Sequence, residues 1–145
     1  MKALTCAAAA LAFAAAPALA DDHVVTYPFE GSFDDAAFAI ETAIVNDGLV
    51  IDYVSHVGDM LNRTREDVGG DTQIFAAADI YLFCSATVSR SVMEDDPMNL
   101  TYCPYNIFVA ERDGEVMIGH PTYPDGKMQE VQALLEGIVK DALEE

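Results

Sequence analysis

Residues 105–119, YNIFVAERDGEVMIG, constrain the fold more than any other stretch of the chain. Residues 105–111 and 115–119 each read as a strand, and Arg112-Asp113-Gly114 joins them. Asp-Gly is a strong hairpin signal, because a tight loop between twisted strands needs residues that accept positive φ. Two strands joined this way lie side by side and antiparallel, so the fold is built around that pair. Residues 23–29 read as a further strand with Pro28 near its end. Ser32 with Asp35 then resembles a capping box, with Asp in place of the usual Glu. Phe33, Ala37, Ile40 and Ile44 follow at spacings of 4, 3 and 4, one helical face. Gly48 suits the left-handed cap that ends such a helix. Residues 49–55 alternate like a strand, residues 58–67 form a second helix, and Gly69-Gly70-Asp71 is a break. The apolar run 74–83 contains a central strand, and residues 86–95 form a third helix that Asp96-Pro97 stops. A last helix, from about Gly126 to Leu143, aligns Met128, Val131, Leu135, Ile138 and Ala142. The order β-α-β-α-β-α-β-β-α predicts an α+β fold, with helices packed on a small mixed β-sheet.

The amino terminus, MKALTCAAAALAFAAAPALA, has the form of a secretory signal peptide. Lys2 supplies the positive charge, residues 4–16 the apolar stretch, and Ala18-Leu19-Ala20 the small-residue cleavage signal. The stretch is too short to span a membrane, which takes about 20 residues. Cleavage after Ala20 removes residues 1–20, Cys6 among them, and leaves residues 21–145 as one domain in the periplasm or outside the cell. The full chain carries a formal charge of −18. Losing Lys2 makes the mature domain −19, six basic residues against 25 acidic ones. Such a field repels nucleic acid and anionic lipid, which excludes both as partners, and attracts a basic partner protein or a cation. The acids are spread along the chain, the pattern of a solvated surface.

Only Cys84 and Cys103 remain once Cys6 has left. In an exported domain two cysteines read first as a structural disulfide, and closing a loop of roughly 20 residues stabilises by about 3 kcal/mol on the chain-entropy model. Two other readings stay open. Cys84 precedes the third helix, whose N-terminus favours a thiolate and hence a redox pair, although no CxxC spacing is present. The cysteines with His56, His120, Met60 and Met117 would also suit copper(I) or zinc. Methionines at these spacings are commonly core filler, and His120, followed by Pro121, reads as a solvated strand-end residue. A separate metal site follows from cleavage itself. A chain beginning Asp21-Asp22-His23 offers copper(II) or nickel(II) four nitrogens in a plane: the amine, two backbone amides and the imidazole.

Several of these pieces together resemble the domain-of-unknown-function 302 family. They are the helix from Phe33 to Val45 followed by Gly48, YVSHVGDML from Tyr53, FCSA from Phe83, Asp96-Pro97, and TYCPYNIFVAE from Thr101. The likeness runs from about Val25 to Pro121. It implies a compact α+β domain able to form dimers, with both cysteine positions part of the family pattern. This chain departs from the commoner forms in having Ser-Ala after Cys84 rather than Asn-Pro, and Tyr rather than Pro before Cys103. The family has no established reaction, so the resemblance implies a fold and no mechanism.

Catalytic patterns are weak. Glu30, Asp34, Asp35, Asp52, Asp95 and Asp96 are carboxylates in a chain where acids are everywhere, and Asp34-Asp35 is explained by charge at a helix N-terminus. Ser85, Ser89 and Ser91 lack the G-x-S-x-G elbow, and Gly69-Gly70 has no lysine after it to make a phosphate loop. Tyr102, Tyr105, Tyr123 and Phe108 read as core and sheet-face aromatics rather than as a pocket. The expectation is therefore a small exported binding or accessory protein without catalytic turnover. It would present a pocket or sheet face to a small ligand, a metal or a partner protein, with the best region around Cys84, Cys103 and His56. The alternative is a thiol-redox or metal-handling protein working through the cysteine pair.

Overall fold

The computed structural model describes the backbone of residues 19–21 and all of residues 23–144. The leader sequence before Leu19, Cys6, Asp22 and the Asp21 side chain lie outside the described residues. Among the described residues six strands form one sheet: β1 (Leu19–Asp21), β2 (Val24–Phe29), β3 (Ile51–Ser55), β4 (Ala77–Phe83), β5 (Tyr105–Arg112) and β6 (Glu115–Pro121). Four helices accompany them: α1 (Phe33–Asn46), α2 (Val57–Thr64), α3 (Ala86–Asp95) and α4 (Gln129–Glu144). The strand order across the sheet is β1-β2-β6-β5-β4-β3. The element order expected from the sequence is present, with β1 and two 3₁₀ turns (Pro97–Tyr102 and Gly126–Met128) in addition.

The sheet expected to be mixed is antiparallel at every pairing. The reason lies in the connections. A parallel crossover must carry the chain the full length of a strand. Here α3 leads away from β4, and the 3₁₀ turn Pro97–Tyr102 packs back along it. The chain therefore re-enters the sheet where it left, and Phe83 at the end of β4 pairs with Tyr105 at the start of β5.

Local chemistry explains the best-defined helix ends. Ser32 accepts from the Asp35 backbone while the Asp35 carboxylate accepts from the Ser32 backbone, closing the capping box at the start of α1. At its other end Gly48, at φ 78°, lets its own N–H reach Val45 and the Leu49 N–H reach Ile44, so the last carbonyls are satisfied. The hairpin turn holds Asp113 at φ 55° and Gly114 at φ 81°, as Asp-Gly predicts.

The core lies on one face of the sheet. Tyr81 and Phe83 of β4, Ile107 and Val109 of β5, and Ile118 of β6 are buried there together with Ile40 and Ile44 of α1 and Leu135 and Ile138 of α4. No helix among the described residues is long and apolar enough to cross a membrane.

Candidate functional site

Cys84 directly follows β4 and Cys103 directly precedes β5, and the two are joined in a disulfide across a Cα–Cα distance of 6.6 Å. Both are half-buried. The bond closes the mouth of the excursion made by α3 and the 3₁₀ turn. The Cys103–Pro104 peptide bond beside it is cis. On the core side of this end, Tyr123 lies tilted against Tyr102 and edge-on to Tyr105, at ring distances of 5.9 and 6.2 Å, and Ser89 donates to the Tyr105 hydroxyl at 3.1 Å. Burial raises the Tyr123 phenol above its ordinary range, so this group packs as a neutral side chain. Phe108, expected with these tyrosines, faces the other side of the sheet: its ring lies over Gly119, where a Cβ would come within 2.4 Å of it.

His120 corrects the expectation of a solvated strand-end residue. β6 runs on to Pro121, so Val116, Ile118 and His120 alternate onto the core face, and His120 is fully buried. Its Nδ1–H donates to the Pro121 carbonyl at 2.9 Å, and its Nε2 has no partner among the described residues. Burial pushes its pKa below the usual imidazole value, against smaller opposing effects of Pro121 and Glu136.

His56 sits at the opposite end of the sheet, between β3 and α2. Its Nδ1 meets Asp79 Oδ1 at 2.8 Å, and this hydrogen bond and the carboxylate's charge raise the imidazole pKa. The Nε2 side is open, with 61% of the side chain exposed. His56, Asp59, Met60 and Arg63 succeed one another at one helical spacing and, with Asn62, line a shallow depression. Gly58 makes this possible: a Cβ there would lie 2.4 Å from the Ala78 nitrogen, so only glycine lets α2 press flat on the start of β4. The sequence reading missed Asp79; its one signal was a single acid inside the apolar run 74–83.

The structure thus separates residues that the sequence reading grouped. Asp79 and Cys84 are five residues apart along an extended strand, about 17 Å at ~3.4 Å per residue. His56 and the cysteine pair therefore occupy opposite ends of β4, and His120 is inside the core. Met60 shares the depression with His56, whereas Met117 pairs with Ala110 on the other side of the sheet. The exposed His23 accepts through its backbone carbonyl from Thr122, and the amino-terminal Asp21-Asp22-His23 arrangement lies in part outside the described residues.

One surface had no counterpart in the sequence reading. Register pairing places Tyr53 of β3, Ile80 and Leu82 of β4, Phe108 of β5 and Met117 of β6 on the sheet face opposite the core. Among the described strand residues, charged side chains occur on this face only at its margins, Arg112 and Glu115 at the hairpin turn and Asp52 in the β3 bulge. Tyr53 is 64% exposed, and Ile80, Leu82, Phe108 and Met117 are half-exposed.

Residues 24–144 match the family model described as Domain of unknown function DUF302. The chain belongs to the DUF302 family. Its fold is similar to the crystal structure of an uncharacterized conserved DUF302 protein from Bacillus stearothermophilus, at a TM-score of 0.61 and 16% identity, covering 83% of this chain and 95% of that one. No curated protein matches. The likeness carries the DUF302 architecture over to this chain and leaves its activity to be argued from the residues above.

Proposed function

We propose that this DUF302 protein is an exported binding or accessory domain without catalytic turnover, stapled by Cys84–Cys103 and presenting its outer sheet face to a partner protein. The observation that carries this reading is the neutral face itself. A chain with 25 acidic residues among 145 has acids to spare for every solvated surface, yet this face holds them only at its rim. An apolar centre within an acidic surround complements a basic protein that carries an apolar patch: the surround speeds encounter, and the centre supplies the buried area. The leader-like amino terminus supports export.

The first test is the intact mass of protein recovered from the periplasm, before and after reduction. The expected product begins at Asp21 and is lighter by two hydrogens before reduction. The second test compares binding of a basic periplasmic partner to wild type and to Leu82→Lys, which places a charge in the middle of the face. Binding that survives the lysine refutes the sheet-face reading.

A second reading, thiol-redox chemistry, is favoured by one observation. Cys84 stands directly before Ser85, the N-cap of α3, so a thiolate released there would face a helix N-terminus. A bond readily opened by glutathione would move this reading to first place.

A further inference from the structure

α2 is pinned to the start of β4 and to the segment before it. Gly58 lets it press on the Ala77–Ala78 backbone, and the Asn62 amide donates to the Phe75 carbonyl at 3.2 Å. Inside that frame the half-buried Asp79 fixes the ring of His56 through Nδ1 at 2.8 Å. In the neutral ring the carboxylate holds the proton on Nδ1, which leaves the lone pair of Nε2 on the open side. A carboxylate behind the ring with the far nitrogen free is how proteins orient an imidazole as a metal ligand.

Met60 stands beside it. The Met60 N–H donates to the His56 carbonyl at 3.2 Å, so one α-helical turn separates the two residues. Side chains at that spacing are neighbours, with Cβ atoms about 5–6 Å apart. Both line the same depression, and Met60 is exposed. Its sulfur is not committed elsewhere: the Thr64 hydroxyl lies 3.9 Å away and donates its proton to the Met60 carbonyl at 2.8 Å. The charges around the pair favour a cation. Asp59 and Asp79 are negative and Arg63 is positive, so with a neutral imidazole the local sum is one negative charge. Arg63 stands beyond Met60, seven residues from His56 and about 10 Å along the helix axis. The field of the whole chain, at −18, draws cations as well.

We propose that His56 Nε2 and Met60 Sδ together bind one copper(I) ion. The donor set selects the metal. Zinc takes three or four ligands from Cys, His, Asp and Glu, and with Asp79 engaged behind the ring the depression offers only His56 and Asp59 of that kind. A thioether beside an imidazole suits soft copper(I), and one monovalent ion cancels the single negative charge. The pair is also what the fold leaves together of the soft ligands scattered along the sequence. Cys84 and Cys103 are bonded to each other at the far end of β4, His120 is in the core, and Met117 is on the opposite sheet face. Two protein donors leave the ion open to a third ligand from solvent or from another protein. The site shares no residue with the neutral sheet face, so it stands apart from the partner-binding reading above.

The test expresses the full chain with its own leader and purifies the product the cell delivers. Copper(I), kept reduced by ascorbate without oxygen at mildly alkaline pH, is titrated in against a chromophoric copper(I) chelator. The expected result is one ion per chain, with the Met60 methyl and the His56 ring protons shifting together by NMR and the other methionine methyls unmoved. His56→Ala and Met60→Leu should each weaken binding by about tenfold or more, with unchanged far-ultraviolet dichroism, and Asp79→Asn by about 10–100-fold. Met60→Leu keeps a helix-forming side chain of similar volume, so it decides the matter even where His56→Ala perturbs α2. The variant with Cys84→Ser and Cys103→Ser, His23→Ala, and Leu82→Lys should all bind as wild type does. Failure of Leu82→Lys to bind a basic partner would bear on the sheet-face reading and leave copper uptake unchanged. No copper(I) uptake by wild type, uptake undiminished in Met60→Leu, or uptake lost in the double-serine variant or in His23→Ala overturns the proposal. So does zinc(II) that moves the same signals at equal concentration.

Discussion

Replacing Cys84 and Cys103 together by serine should leave the fold in place and cost about 3 kcal/mol. The structure separates the two effects. In the folded chain the ends of the excursion are already held by Phe83 paired with Tyr105, by Ser85 capping α3, and by the Cys103 N–H donating to Leu100. Those contacts do not need the sulfur bridge. The bridge acts instead on the unfolded chain, where it forbids the freedom of a loop whose ends are 19 residues apart in sequence. Chain-entropy scaling for a closed loop of about 20 residues gives ~3 kcal/mol at 25 °C. With an unfolding entropy of ~2.1 cal/mol/K per residue over ~125 residues, the melting temperature should fall by roughly 12 °C. Urea unfolding followed by far-ultraviolet dichroism, on the oxidised protein and the double-serine variant, measures the difference directly. A loss well under ~1 kcal/mol would mean that the excursion stays closed without the bond in the unfolded ensemble. Loss of the cooperative transition would mean that the β4–β5 pairing depends on it. Either result refutes the division drawn here.

Gly119→Ala should cost about 1–3 kcal/mol in the same assay, because the new methyl meets the Phe108 ring at 2.4 Å and the Val25 carbonyl at 2.7 Å; since the carbonyl is backbone, Phe108→Ala in the same chain should rescue only part of it. Proton NMR titration should show His56 losing its proton above the ordinary imidazole pKa of 6.5, and Asp79→Asn should bring that titration back toward 6.5. His120 works with the opposite sign: its folded pKa is depressed, so its contribution to stability is complete above the unfolded value of 6.5 and is lost as pH falls below it toward the folded value. Unfolding free energy measured across that window should fall by up to about 1.4 kcal/mol per pH unit from this group, a component that His120→Phe removes. Ser32→Ala opens the capping box at α1 and should cost about 1 kcal/mol by urea unfolding.

Most of the fold was legible because it is written in local signals. The Ser32–Asp35 cap, Gly48 after α1, Asp113-Gly114 between β5 and β6, and Asp96-Pro97 after α3 each act within a few residues, and each stands where its chemistry predicts. β1 was hidden because its residues read as a leader. The 3₁₀ turn Pro97–Tyr102 was hidden because a proline that ends one helix also suits the first position of the next turn, where Asp96 caps it. His120 was misplaced by a register extension of two residues at the end of β6, enough to carry one more side chain into the core.

The candidate surfaces were less legible, and the acidity of the chain explains both the difficulty and the way around it. The His56–Asp79 pair joins residues 23 apart in sequence, brought together only by the pairing of Ser55 with Ile80. The neutral face draws one or two residues from each of several strands, and no one strand displays it. Where acids are everywhere along the chain, their linear distribution carries little meaning. Folded, it carries more. A carboxylate is far better solvated by water than by protein, so an acid-rich chain marks with charge the surfaces it gives to water. The half-exposed face bearing Ile80, Leu82, Phe108 and Met117 is unmarked except at its rim. So is the strand VVTYPF. The two meet along β2, where Val24, Thr26 and Pro28 belong to the neutral face.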